Sequence, residues 1–239
     1  MNVQRYPDLD ALSRAAAEDV ATIVRTAVGD RGVCHVALAG GSTPKRLYEL
    51  LAARGRTELP WDEVVVWFGD ERPVPPNHPD SNYGMAKQAL LAPLGLTAVH
   101  RMHGEREPER AAVEYDTLLR DRLGDPPELD LVLLGMGSDG HTLSLFPGTP
   151  ALGETTKLCV ANPIDSPLTK GPTTRLTLTA GAVANARHTR FLVAGADKAE
   201  ALATVLEGPR APERFPAQLI RGADVVWFVD AAAARRLST

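Results

Sequence analysis

Five short apolar runs, each ending in glycine or small polar residues, constrain this chain more than any other feature. They are Val33 to Ala39, Val64 to Phe68, Leu129 to Leu134, Phe191 to Ala194 and Val225 to Val229. Each is too short for a helix and apolar at consecutive positions, so each reads as a strand buried on both faces. Between them lie segments with helical spacing. Residues 8 to 28 place Leu9, Leu12, Ala16, Val20, Ile23, Val24 and Ala27 on one side, with Asp8 as a start signal and Gly29 as a stop. Pro44 to Arg54, Asn82 to Leu91, Glu107 to Leu123 and a segment from Asp197 to Leu206 read as further helices, and an alanine-rich helix closes the chain. Lys157 to Ala161 and Thr174 to Thr179 read as additional strands, and Ala98 to Met102 as a short one. Strands alternating with helices predict an α/β fold with a mostly parallel sheet and helices on both faces.

The chain has 239 residues, of which 44% are hydrophobic and 23% charged. That suits a single α/β domain over residues 1–239, with room for a small loop-rich subdomain in the middle. The formal net charge of −4 argues against a nucleic-acid partner held by phosphate contacts. No run approaches the roughly 18 apolar residues of a membrane span, and the N-terminus has no apolar signal core. The two cysteines, Cys34 and Cys159, read as buried thiols rather than a disulfide. A cytoplasmic location is expected, and, with no self-association stripe evident, a monomer.

In parallel sheets ligands collect at the carboxyl ends of the strands. Three polar turns occupy that position. Gly40-Gly41-Ser42-Thr43-Pro44-Lys45 joins a strand to a helix N-terminus, where free N–H groups and the helix dipole attract an anion. The ordinary alternative is a tight turn with a Ser or Thr cap. It is not a Walker A loop, because the Gly-Lys-Ser/Thr ending is missing. Gly69-Asp70-Glu71-Arg72 offers either an internal ion pair or a carboxylate and a guanidinium for a substrate. The third, Gly135-Met136-Gly137-Ser138-Asp139-Gly140-His141-Thr142, presents Asp139 and His141 two residues apart, the material of a general base. Its Gly-x-Gly-x-x-Gly spacing imitates a dinucleotide fingerprint, but Pro147 and Pro150 stop any long helix and position 160 is valine, so nicotinamide binding is rejected. Lys170 and Arg175 flank a later turn and could clamp an anion. His100 and His103 lack a third ligand at matching spacing, so no metal is expected. His35, His78 and His188 suggest no role.

Taken together, Leu38 to Lys45, Trp67 to Arg72, Asp80-Ser-Asn-Tyr83, Leu133 to His141 and Lys170 to Arg175 resemble the short bacterial 6-phosphogluconolactonases, relatives of glucosamine-6-phosphate isomerase/deaminase. The resemblance implies the fold of the glucosamine-6-phosphate and ribose-5-phosphate isomerases. It also implies hydrolysis of 6-phospho-D-glucono-1,5-lactone in the oxidative pentose phosphate pathway, without a cofactor. His141 would be the base, Asp139 or Asp70 would orient it, and backbone N–H groups of the Gly135 to Gly140 turn would hold the oxyanion. Gly40, Gly41, Ser42, Thr43, Lys45, Arg72, Lys170 and Arg175 would bind substrate; which cation meets the phosphate and which the carbonyl stays open. In Ser166-Pro167-Leu168-Thr169-Lys170 the lysine falls two residues later than the family's Ser-Pro-Lys. The isomerase/deaminase branch carries a carboxylate five residues after the motif histidine, where this chain has Phe146. That position separates the lactonase reading from a deaminase. A sugar-phosphate-sensing domain of a transcription regulator would need a helix-turn-helix region, and the first 30 residues hold one helix.

Overall fold

The computed structural model describes residues 2–169 and 171–238. Its centre is a six-stranded parallel sheet in the order β1-β9-β8-β5-β2-β3. The strands are β1 (Asn2–Tyr6), β2 (Cys34–Leu38), β3 (Val64–Phe68), β5 (Leu131–Leu134), β8 (His188–Val193) and β9 (Val225–Asp230). A second, antiparallel sheet of order β4-β7-β6 is built from β4 (Asp70–Glu71), β6 (Cys159–Ile164) and β7 (Thr173–Leu178). The helices are α1 (Leu9–Arg31), α2 (Ser42–Ala53), α3 (Asn82–Ala86), α4 (Ala92–Leu94), α5 (Pro108–Leu123), α6 (Ala180–Val183), α7 (Ala199–Glu207) and α8 (Ala231–Ala234). A π-helical turn, Lys87–Leu91, joins α3 to α4.

The runs are apolar at nearly every position, His35 and Asp130 excepted, because two cores lie on opposite faces of the sheet. In β5, Leu131 and Leu133 enter the core shared with α1 and α2, beside Val20, Val24 and Leu47. Val132 and Leu134 point the other way, toward Tyr115 and Leu119 of α5, Leu202 of α7 and Leu176 of the small sheet. The alternation is the period of two that a strand imposes on its side chains.

The elements differ from those expected in several places. Ala98 to Met102 forms no strand, only the isolated bridge of Val99 to Val66. β1 was not foreseen: it is a mostly polar edge strand paired with β9, its residues are exposed or half-buried and none is buried, and it has no apolar run. α1 passes through Gly29 and stops at Gly32, which adopts φ 74° and donates its N–H to the Val28 carbonyl. β6 extends to Ile164 through Pro163, which the edge position of that strand allows. Asp197 does not cap α7; it lies in the 3₁₀ turn Ala196–Lys198 that precedes the helix.

The chain leaves β2 through α2 toward β3, whereas β5 leads away to β8 and β9, so the direction of winding reverses between β2 and β5. These two strands share only two paired positions, Val36 with Leu131 and Ala37 with Val132. Beyond them Leu38 pairs with Phe68, and Leu134 pairs with Phe191. The carboxyl ends therefore part and leave a crevice, the place where open α/β sheets bind ligands.

Two buried tyrosines fix the rim of the crevice. The Tyr48 hydroxyl accepts from the Ala39 N–H (3.0 Å) and donates to its carbonyl (2.8 Å). The Tyr115 hydroxyl accepts from the Phe68 N–H (2.9 Å) at the end of β3. Tyr48→Phe should leave both Ala39 backbone groups without a partner. A loss of about 1–3 kcal/mol in unfolding free energy is expected by urea denaturation.

Candidate active site

The crevice has a volume of about 220 Å³, which suits a small ligand and not a dinucleotide. Its walls come chiefly from four strand ends, the turns after β2, β3, β5 and β8, with Asn82 of α3 and Arg175 of β7.

The turn after β2 supplies an uncapped helix N-terminus. Gly41 is the N-cap of α2, at φ 100°, and no side chain caps the helix. Sequence offered Ser42 or Thr43 as a cap; here both sit inside the first turn, and the N–H groups of this end remain open to an anion. Gly40, Gly41, Ser42 and Thr43 all line the crevice. Lys45 does not. Three residues past Ser42 the helix has turned it outward, where its ammonium lies 3.9 Å from Glu49 on the exposed face.

The turn after β5 carries the histidine. The Gly137 N–H donates to the His141 carbonyl (2.8 Å) and the Gly140 N–H to the Gly137 carbonyl (3.0 Å), closing a compact loop. A Cβ on Gly137 would collide with the His141 ring, so glycine here is a steric requirement. Asp139 Oδ1 lies 2.6 Å from His141 Nδ1 and also accepts the His141 N–H (3.0 Å). Burial works against ionisation of the Asp139 carboxyl, but its bond to His141 and the histidine's charge prevail and hold it below the ordinary carboxylate range. An ionised carboxylate can only accept, so Nδ1 carries the hydrogen, and in a neutral imidazole the lone pair is then on Nε2. The imidazole is stacked on Phe146, with centroids 3.9 Å apart and planes 16° from parallel. The N–H groups of Gly137, Gly140 and His141 are all used within the loop, so those three offer no oxyanion hole.

Asp70, the other candidate for orienting His141, is engaged elsewhere. Its Oδ2 accepts from the Ser144 hydroxyl (2.6 Å) and its Oδ1 from the Asn82 amide (2.9 Å). It lines the crevice as a buried carboxylate fixed from two sides. Neighbouring Glu71 points away and gathers the start of α3, accepting from the N–H groups of Asn82 (2.7 Å) and Tyr83 (2.8 Å) and from the Ser81 hydroxyl (3.0 Å). Burial pushes the Glu71 carboxyl up, against the pull of those donors. Arg72 lines the crevice while its guanidinium donates to the Asp80 carbonyl.

Arg175, on β7, also faces the crevice. Its side chain makes no hydrogen bond or ion pair among the described residues, and its guanidinium carbon lies 5.4 Å from the centre of the Phe146 ring. Burial lowers its proton affinity, opposed by the field of Asp70. Lys170 lies outside the described residues. Sequence reasoning missed Lys198, in the turn after β8, which lines the same crevice and pairs with Asp197 at 3.0 Å. Its signal was available: like the other three turns, it follows the end of a buried strand. Asn82 was missed as well. Its amide donates to Asp70, and its own oxygen lies buried against Gly40 without a hydrogen-bond partner.

The sequence matches the profile of the family described as glucosamine-6-phosphate isomerases/6-phosphogluconolactonase over residues 7–227. The chain belongs to that family. Among similar proteins, the 6-phosphogluconolactonase of Synechocystis is 40% identical over 227 residues, covering 91% of this chain and 90% of the relative. The 6-phosphogluconolactonase of Mycobacterium tuberculosis is 34% identical over 246 residues, with 99% and 98% covered. Of solved structures, the 6-phosphogluconolactonase from Trypanosoma brucei superposes with a TM-score of 0.87 at 28% identity, covering 99% and 98% of the two chains. A monomeric glucosamine-6-phosphate deaminase gives 0.83 at 25% identity, covering 99% and 100%. Within the family, the resemblance is to the lactonases.

Gly137→Ala should displace the imidazole by the order of an ångström and cost about 100-fold in turnover without unfolding the protein. Circular dichroism beside the rate measurement checks this. Lys45→Ala should leave both kcat and KM unchanged.

Proposed function

We propose that this chain hydrolyses 6-phospho-D-glucono-1,5-lactone to 6-phospho-D-gluconate. The observation that carries the reading is the His141–Asp139 pair, which shares a small crevice with an uncapped helix N-terminus and three cations, Arg72, Arg175 and Lys198. A lactone is an activated ester, so its hydrolysis needs a base and charge stabilisation, with no covalent nucleophile.

His141 Nε2 removes a proton from water as the water oxygen attacks C1. Asp139 keeps Nδ1 protonated and stabilises the imidazolium that forms. Collapse of the tetrahedral intermediate breaks the bond between C1 and the ring oxygen, and that oxygen takes the proton back from the imidazolium. The product acid then ionises to a carboxylate. The 6-phosphate sits at the N-terminus of α2, with the cleft cations neutralising it and the developing oxyanion.

The support against a deaminase reading is local. Where that branch carries a carboxylate, this chain presents Phe146, which is 1% exposed and packed on the imidazole, and a phenyl ring cannot shuttle protons.

A short-time assay of freshly made lactone, corrected for its spontaneous opening, tests the proposal directly. The protein should accelerate opening strongly, and glucosamine 6-phosphate should release no ammonia. Lactone opening at the uncatalysed rate would reject the reading. His141→Ala should lower kcat by about 100-fold or more while phosphosugar binding persists; near-normal turnover would remove the base. In Asp139→Asn the imidazolium loses its carboxylate partner, so the acid limb of kcat/KM should move to lower pH and kcat should fall. Arg175→Ala should chiefly raise KM.

A further inference from the structure

Phe146 takes part in more than exclusion of a carboxylate. Its ring is almost wholly buried and lies parallel to the His141 imidazole at 3.9 Å. Its backbone is held firmly. The Thr149 N–H (3.2 Å) and hydroxyl (2.7 Å) both donate to the Phe146 carbonyl, and the preceding residue, Leu145, donates its N–H to Thr142 (2.9 Å). The same ring lies 5.4 Å from the guanidinium carbon of Arg175, a cation with no hydrogen-bond partner among the described residues. The imidazole is thus gripped along its edge by Asp139 and across its face by Phe146, and the same phenyl ring also flanks the cleft guanidinium.

We infer that Phe146 is a positioning residue of the hydrolysis, whose π face orients the His141 ring and favours its cationic form during proton transfer. This rests on His141 acting as the base. The physical ground is the quadrupole of the phenyl ring, negative over its face, which attracts an imidazolium more than a neutral imidazole. The side-chain torsions and the hydrogen bond at Nδ1 together set the direction of the ring and leave only tilting of its plane. A flat, buried partner at 3.9 Å opposes that tilting and so narrows the spread of Nε2 positions. Neither contact can replace the other, because one acts in the plane of the imidazole and the other perpendicular to it.

The charged groups that share the crevice with this histidine are few. Asp139 comes from its own turn, Asp70 and Arg72 from the β4 segment, Arg175 from β7 and Lys198 from the turn after β8. α2 brings only Gly41, Ser42, Thr43 and Pro44 to the crevice. Replacing Phe146 removes none of these charges, so a shift in the titration of His141 on its replacement reports the loss of the ring together with its contact to Arg175.

The test compares wild type with Phe146→Leu, which keeps an apolar side chain and removes the π face, and with Phe146→Tyr, which keeps the face. In Phe146→Leu, kcat should fall about tenfold and the acid limb of kcat/KM should move to lower pH. In Phe146→Tyr the acid limb should stay where it is in wild type. A change confined to melting temperature, with kcat and the acid limb of Phe146→Leu unaltered, would overturn the inference. Independently of turnover, NMR of the substrate-free protein should show the His141 ring protons shifted upfield by the phenyl ring, and Phe146→Leu should abolish that shift and lower the pH of the His141 titration. Absence of the ring-current shift in wild type would overturn it equally. If His141→Ala retained turnover the general-base reading would fail, whereas the NMR comparison would still decide whether the ring pair exists and tunes the histidine.

Discussion

The parting of β2 from β5 is the constraint on which everything else rests. The two strands pair at only two positions because the chain winds away from them in opposite directions. A continuous parallel sheet would bury its strand ends beneath neighbouring loops; a reversal leaves one gap that neither neighbour fills. Apart from Arg175, which stands within β7, the groups that could act on a ligand reach this gap from the ends of the main sheet's strands. The helix N-terminus arrives from β2, Asp70 from beyond β3, the histidine from β5 and Lys198 from β8. The cost of assembling such groups is met by the framework, since Tyr48 and Tyr115 pin the backbone at the ends of β2 and β3 from within the two cores.

A buried polar scaffold then holds the loops in register with one another. Ser144 uses all three of its polar groups on different partners. Its hydroxyl binds Asp70, its N–H donates to the Thr177 hydroxyl (3.0 Å), and its carbonyl accepts from the Asn162 amide (2.8 Å). The residue just past the histidine loop is thereby tied to β4, β7 and β6. Arg175, on β7 of the small sheet, is thereby tied to the segment that follows His141 in the loop after β5. Breaking one such buried bond leaves a polar atom unsatisfied, which is why networks of this kind are rigid.

The fold was readable where its physics is local. Apolar strands between amphipathic helices announced the sheet, and the glycine turns announced its carboxyl edge. What escaped notice depends on distant pairing. β1 is polar and exists only because β9 offers it an edge, and β4 is two residues long and is defined by its partner β7. The choice between Asp139 and Asp70 was equally hidden, since Asp70 is claimed by Ser144, 74 positions away in the chain. Lys45 was drawn to the site by its place in a motif, yet helical rotation places it outside. The importance of Phe146 was visible as a missing carboxylate, whereas its stacking on the histidine required three dimensions.

The central claim is that a phosphosugar lactone lies in this crevice with C1 at His141 and its phosphate at the start of α2. A crystal structure with the product 6-phosphogluconate bound measures that arrangement most directly. The account predicts the C1 carboxylate within hydrogen-bonding distance of His141 Nε2, and the phosphate on the N–H groups of Gly41 to Thr43. A product bound in the reverse sense, or one held at another surface with the crevice empty, would contradict it.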